Sequence, residues 1–236
     1  TPREGRAVEI QALWYNALRI VEALAHRFGE RDLAADYSQL ARRAKNTFRK
    51  RFWNREKSCL YDVVCEENLD PSLRPNQIIA AYLDFRMLKP VEERRVVELI
   101  WDRLWGVYGV RTLDSADPRY IGIYQGDCRR RNEAYHNGTV WAWLLGPFVT
   151  SFVRVNGYDP NKRRNAYDHF LRPLFEEEMS RRGLGSVSEI FDGDWPHGSR
   201  GCFSQAWSLA EPFRAYVEDI LLKRPPFEGN LTSRME

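Results

Sequence analysis

An all-α fold of stacked helical hairpins is what this sequence predicts, and three observations predict it. Apolar residues recur at spacings of three and four through seven segments of the chain. Extended runs are few and short: LYDVV (60–64) and GVRTL (109–113) are too little for a central sheet. Finally, the segments that join the helices alternate between plain and chemically rich.

The seven helices follow in order. Leu13, Trp14, Ala17, Leu18, Val21, Leu24, Ala25 and Phe28 mark the first, with Gly29 suited to the position beyond its end. Leu33, Tyr37, Leu40, Ala41, Ala44, Phe48 and Phe52 mark the second. A third follows Pro75 and a fourth Pro90, since proline is at home in a first helical turn. The fifth, 139–155, is apolar nearly all round, which predicts burial on most sides. The sixth covers about 161–180 and the seventh about 203–222.

The segments ahead of the first, third, fifth and seventh helices (8–16, 61–77, 120–138 and 185–207) are rich in polar, aromatic and glycine residues. Those ahead of the other three (GERD, LKP, NGYDPN) are plain. The alternation predicts inner and outer helices, with every rich loop opening at the same end. Function then gathers in loops on one face of a rigid scaffold. Seven helices make three and a half hairpins, so a closed ring of six would need five more. The chain opens in a loop already rich in candidate residues, as though cut from something longer. Residues 1–222 read as one part of a larger helical domain and 223–236, with two prolines, as a flexible tail.

Composition narrows the function. Net charge is +3 from 36 basic and 33 acidic residues, interspersed with no face visibly one-signed. RRR at 129–131 is too short for a nucleic-acid tract, so nucleic acid is not expected as a partner and a neutral substrate stays open. Eight tryptophans are core filling in most cases and stacking platforms for flat ligands or sugar faces in the rest. The four cysteines form no CxxC and share no ligand spacing with the four histidines, so neither a metal nor another cofactor is expected. Free thiols, no 18-residue apolar run and an opening unlike a signal peptide predict a cytoplasmic protein that does not span a membrane.

The stretch GSVSEIFDGDWPHGSRGCFSQAW (185–207) is the most unusual. Glu189, Asp192 and Asp194 crowd into six residues, and five of the chain's fifteen glycines fall between 183 and 201. Glycine lets backbone bend close to a ligand. The two aspartates either accept hydrogen bonds from ligand hydroxyls or cap the turn, and the turn role is favoured.

Six stretches, VEIQALWYNAL (8–18), SLRPNQI (72–78), YIGIYQGD (120–127), AYHNGTVWAWLLGPF (134–148), SEIFDGD (188–194) and RGCFSQAWSLAE (200–211), lie in the order of a known family. The chain resembles the C-terminal amylo-α-1,6-glucosidase domain of glycogen debranching enzymes, from about residue 1 to 217. That resemblance implies an (α/α)₆ toroid, of which this is an incomplete C-terminal portion. It implies inverting hydrolysis of the α-1,6-linked glucose at branch points of glycogen or a related α-glucan. The glutamate of the family's S-E-I-F-D-G motif, its general base, is Glu189 here. The family's general acid lies upstream of the matched region, so this segment alone is expected to be inactive.

Other candidates for substrate binding each carry a structural alternative. Glu9 binds a hydroxyl or serves the positive end of a helix. Trp14 and Tyr15 point about 100° apart on a helix, so one packs in the core and the other nears the site. Asn76 and Gln77, beside Arg74, recognise paired hydroxyls or close the loop. Asp127 holds a sugar or pairs with one of arginines 129–131. Tyr135 and His136 lead into the buried helix, where Trp141 or Trp143 offers a platform or plain core. Two departures stand out: Arg131-Asn132-Glu133 has its acid displaced by one position, and Asn137 replaces a glutamine. The alternatives are a glucoamylase-like or trehalase-like toroidal glycosidase, and a non-catalytic α-glucan-binding fragment. The expected partners are glycogen or limit dextrin, with either the remaining helices of the parent domain or self-association covering the apolar sides of an open half-ring.

Overall fold

The computed structural model describes residues 3–66, 68–181 and 184–223. The expected tail beyond Lys223 lies outside them. Helices α1 (Val8–Phe28) and α2 (Arg31–Phe52) form the first hairpin. Gly29 turns the chain between them at φ 80°, its N–H donating to the carbonyls of Ala25 and His26. A 3₁₀ turn at Pro75–Gln77 leads into the short α3 (Ile78–Tyr82), and α4 (Pro90–Leu104) follows. The segment Cys128–Ala134 forms α5. The most apolar helix, α6 (Leu145–Val155), buries every residue from Leu145 to Val153. Pro160–Ala166 (α7) runs on through π-helical turns at Tyr167–Leu171 and Pro173–Glu178 into α8 (Met179–Arg181). Last come α9 (Ala206–Ala215) and a π turn at Tyr216–Ile220.

The inner and outer rows follow the alternation of the loops. In the inner row α1 packs on α3, α3 on α6 and α6 on α9; α2, α4 and α7 back onto this row from outside. The core is aromatic where the rows meet: Phe170 packs edge-on against Phe148, Phe152, Trp101 and Trp105. Gly146 sets the approach of α6 to α9, because a Cβ there would lie 2.3 Å from Glu211 Oε2 and 2.9 Å from its carbonyl oxygen. At the end of the row α1 leaves Ile10, Leu13, Ile20, Leu24 and Phe28 exposed.

Short strands tie the loops together. Arg6–Ala7 (β1), Val63–Val64 (β4) and Leu69–Asp70 (β5) form one antiparallel sheet. Trp53–Asn54 (β2) and Cys59–Leu60 (β3) form a hairpin. A four-stranded antiparallel sheet runs Val110–Arg111 (β6), Val140–Trp141 (β7), Ile190–Phe191 (β8), Ser199–Arg200 (β9).

Three expectations need correction. Residues 139–141 do not open a helix: Val140 and Trp141 pair with Phe191 and Ile190 on one side and with Arg111 and Val110 on the other. Helix formation begins at Ala142. The α5 segment, CRRRNEA, is helical although its apolar spacing is not, because Asp127 caps it. The helix expected over 161–180 is interrupted by π turns around Pro173, which has no N–H to give.

A candidate active site where the rich loops meet

Sheet register builds the site. Pairing of β7 with β8 lays the strand after Tyr135 beside the strand after Glu189. The Tyr135 hydroxyl donates to Glu189 Oε1, and the Cys202 N–H donates to Oε2 at 2.9 Å. Both carboxylate oxygens are therefore held. Gly201, at φ +68°, makes this possible: a Cβ there would lie 2.5 Å from Glu189 Oε2. Burial, then the hydrogen bond and charge of Glu189, push the Tyr135 hydroxyl well above the usual tyrosine range.

Tyr135 connects Glu189 to a cavity of about 350 Å³. Its ring packs against His136 and Trp141, which stack on each other at 5.4 Å and 13°. Trp207 stacks on Trp143 at 5.2 Å and 18°, and His136, Trp141, Trp143 and Trp207 all line the cavity. Trp141 is buried, its Nε1 donating to the Tyr135 carbonyl and Thr139 Oγ1. Trp207 is 45% exposed and so has a face free to receive a ligand.

A charged wall faces the aromatic one. The β1–β4 pairing brings the buried Asp62 within reach of Arg3, which donates to Asp62 and to Glu9. Asn76 Nδ2 donates to Asp62 Oδ1 at 2.8 Å. The buried Arg74 donates to the carbonyls of Thr112 and His136 and to Asn137 Oδ1, tying two rich loops together. Burial pushes the Asp62 carboxyl up against the opposing pull of Asn76, Arg3 and Arg74, and pushes the Arg74 guanidinium down. Arg3, Arg74, Asn76, Thr112 and His136 all line the cavity. Desolvation, then nearby positive charge that includes Arg74 and Arg3, holds the His136 imidazole below its usual range, so near neutral pH it is a neutral donor–acceptor.

Of the candidates read from the sequence, the structure gathers Asn76, His136, Trp141, Tyr135 and Glu189 in or behind one cavity, with Glu9 on Arg3 at its edge. Four others have local roles. Gln77 closes its loop, accepting from Leu60 N and donating to the Arg74 carbonyl. Asp127 neither lines the cavity nor pairs with a neighbouring guanidinium; it caps α5 through Arg130 N. Asp192 is a buried turn acid that accepts from Tyr124 N and Arg200. Asp194, exposed, takes the Tyr120 hydroxyl at 2.9 Å. Trp14 lies apart, in a groove between α1 and α2, while Tyr15 is buried. Asn16 bonds both backbone groups of Phe85.

Sequence reasoning missed Arg3, Asp62 and Trp207. Asp62 had a signal, as a lone acid inside the apolar run LYDVV. The partnership of Arg3 with Asp62 spans 59 residues and had none.

Stacked hairpins with an aromatic cavity among the loops, and the held carboxylate of Glu189 behind it, define the class: an α/α toroid of the kind glycosidases use. Solved structures agree on the fold. The chain matches neutral trehalase Nth1 from Saccharomyces cerevisiae with a TM-score of 0.62 at 14% identity, over 96% of this chain and 43% of that one. A GH63 mannosylglycerate hydrolase from Thermus thermophilus, in complex with glucose, matches with 0.61 at 16% identity, over 88% and 47%. A sialidase matches with 0.71 at 14%, over 93% and 20%. The family model for amylo-alpha-1,6-glucosidase matches residues 1–214, and the chain belongs to that family. A glycogen debranching enzyme of Saccharomyces cerevisiae is 25% identical over 83% of this chain, which spans 15% of that relative's length.

The four cysteines are free thiols. Among the described residues no helix is long and apolar enough to cross a membrane.

Proposed function

We propose that this chain supplies the base-bearing part of an inverting α-1,6-glucosidase domain acting at branch points of glycogen or a related α-glucan. The observation that carries the reading is the grip on Glu189: a tyrosine hydroxyl and a backbone N–H fix both oxygens of one carboxylate beside an aromatic cavity. Inversion needs a carboxylate that activates water on one face of the sugar and an acid that protonates the leaving oxygen on the other, roughly 6.5–9.5 Å away. Glu189 is the base in this reading, and the acid comes from an upstream segment of the parent protein. Trp207 stacks on a glucose face, and Asn76 and His136 meet its hydroxyls. The likeness to a glycogen debranching enzyme favours an α-glucan. Free thiols suit a reducing compartment, and we place the protein in the cytoplasm.

The test is made in the full-length parent protein. Glu189→Gln keeps the shape and removes the base, so glucose release from limit dextrin is expected to fall about 10²–10⁴-fold. Wild-type-like release by that variant would refute the assignment. A panel with α-1,4, α-1,6 and α,α-1,1 linkages separates debranching from a glucoamylase-like or trehalase-like activity. NMR of the first-formed anomer checks inversion.

A further inference from the structure

The even spread of charge expected from the sequence breaks down at the end of α2. Of the sixteen residues from 42 to 57, eight are basic and one is acidic. None of the eight makes an ion pair among the described residues, whereas Arg3, Arg86, Arg103, Arg119, Arg200 and Arg214 elsewhere all do. Cations in the last turn, Arg49, Lys50 and Arg51, complement the negative end of the helix. That accounts for their place on the helix but not for the cations that other elements bring to meet them.

Arg49 and Lys50 of α2, Trp53 of β2, Arg55 of the following turn and Lys89 ahead of α4 surround a cavity of about 660 Å³. Four positive groups thus converge from three elements. The one acid lining this space, Glu92, is engaged: its Oε2 accepts the Lys89 N–H at 2.8 Å. Arg49 Nε is buried and has no hydrogen-bond partner. One turn back on α2, burial and then the charges of Arg49, Arg19 and Arg86 depress the Lys45 ammonium, a sign of crowded cations. On α2 itself, Phe48 stacks on Phe52 at 4.7 Å and both are buried in the core. No residue is shared with the aromatic cavity beside Glu189.

We propose that this cavity binds a phosphate monoester of a small molecule, its phosphoryl oxygens held by Arg49, Lys50, Arg55 and Lys89 and its organic body resting on Trp53. Guanidinium forks match the phosphoryl group and ammonium groups add point charge. The volume lies in the range of small-molecule sites and leaves room for a sugar-sized body. The inference stands apart from the glucosidase reading, since it uses none of the same residues.

Calorimetric titration of the 236-residue chain with glucose 6-phosphate, inorganic phosphate and glucose tests it. Glucose 6-phosphate is expected to bind with a sub-millimolar Kd that weakens with added salt. The double variant Arg49→Gln/Lys89→Gln is expected to weaken it at least about tenfold. A control that removes two charges from α5, Arg129→Gln/Arg130→Gln, should leave it unchanged. Inorganic phosphate is expected to bind at least about tenfold more weakly, since it leaves Trp53 uncovered, and glucose not at all. Absence of glucose 6-phosphate binding by the wild type, or equal loss in the control, would overturn the proposal. So would unchanged affinity in a double variant whose circular dichroism and melting match the wild type. Equal affinity for inorganic phosphate would overturn the assignment to an ester.

Discussion

Tyr135 donates its hydroxyl to Oε1 of Glu189 across 54 residues of sequence, while the Cys202 N–H occupies Oε2. This makes Tyr135 a positioning residue for the proposed base. Tyr135→Phe keeps the ring packing on His136 and Trp141 and deletes one donor. In the parent enzyme kcat is expected to fall about tenfold or more while KM changes little, the pattern of a misplaced group rather than a lost contact. Steady-state kinetics on a limit dextrin check it; a rise in KM alone would count against positioning.

Gly201→Ala tests the same grip from the other side. The added methyl meets Glu189 Oε2 at 2.5 Å, and alanine at φ +68° costs about 1–2 kcal/mol. The expected result is a modest fall in Tm with a loss of glucose release comparable to that of Glu189→Gln. A variant that melts lower but keeps full activity would show that the carboxylate does not depend on this turn.

Trp207→Ala removes a half-exposed indole stacked on Trp143. Because the ring fills no buried core, stability should change by less than about 1 kcal/mol. Binding of a maltooligosaccharide by the parent protein is expected to weaken about tenfold, the scale of one lost stacking platform. Calorimetry or quenching of tryptophan fluorescence measures it.

The Tyr120 hydroxyl is pushed up to about 12 by burial first and by its hydrogen bond to Asp194 second. A folded-state value above the unfolded one, about 10, means that this stability is fully present below pH 10. It is lost progressively as pH rises toward 12. Melting curves across roughly pH 9 to 12 should therefore fall more steeply in the wild type than in Tyr120→Phe. Parallel curves would show that ionisation of Tyr120 is not coupled to folding.

The apolar side of α1 leaves Ile10, Leu13, Ile20, Leu24 and Phe28 exposed, and we propose that further helices of the parent domain or a second copy of the chain cover it.

What the chain determined by itself is what local spacing can carry. The helical fold class and the order of its helices in two rows follow from apolar periodicity and from the residues between the periods, although the sequence hid α5 and the strand at Val140–Trp141. So does the identity of Glu189 as the acid to watch, through its motif. Contacts between distant segments decided the rest. Val140 and Trp141 became strand because Ile190 and Phe191 offered a pairing edge, and backbone pairing outweighs the weak local preference of so short a stretch. Asp62 came to hold the cavity residues Arg3 and Asn76 through β1–β4 pairing, and Trp14 came to line a different groove, between α1 and α2. Periodicity records which face of a helix is apolar; only packing decides which neighbour that face meets, and therefore which polar groups meet each other.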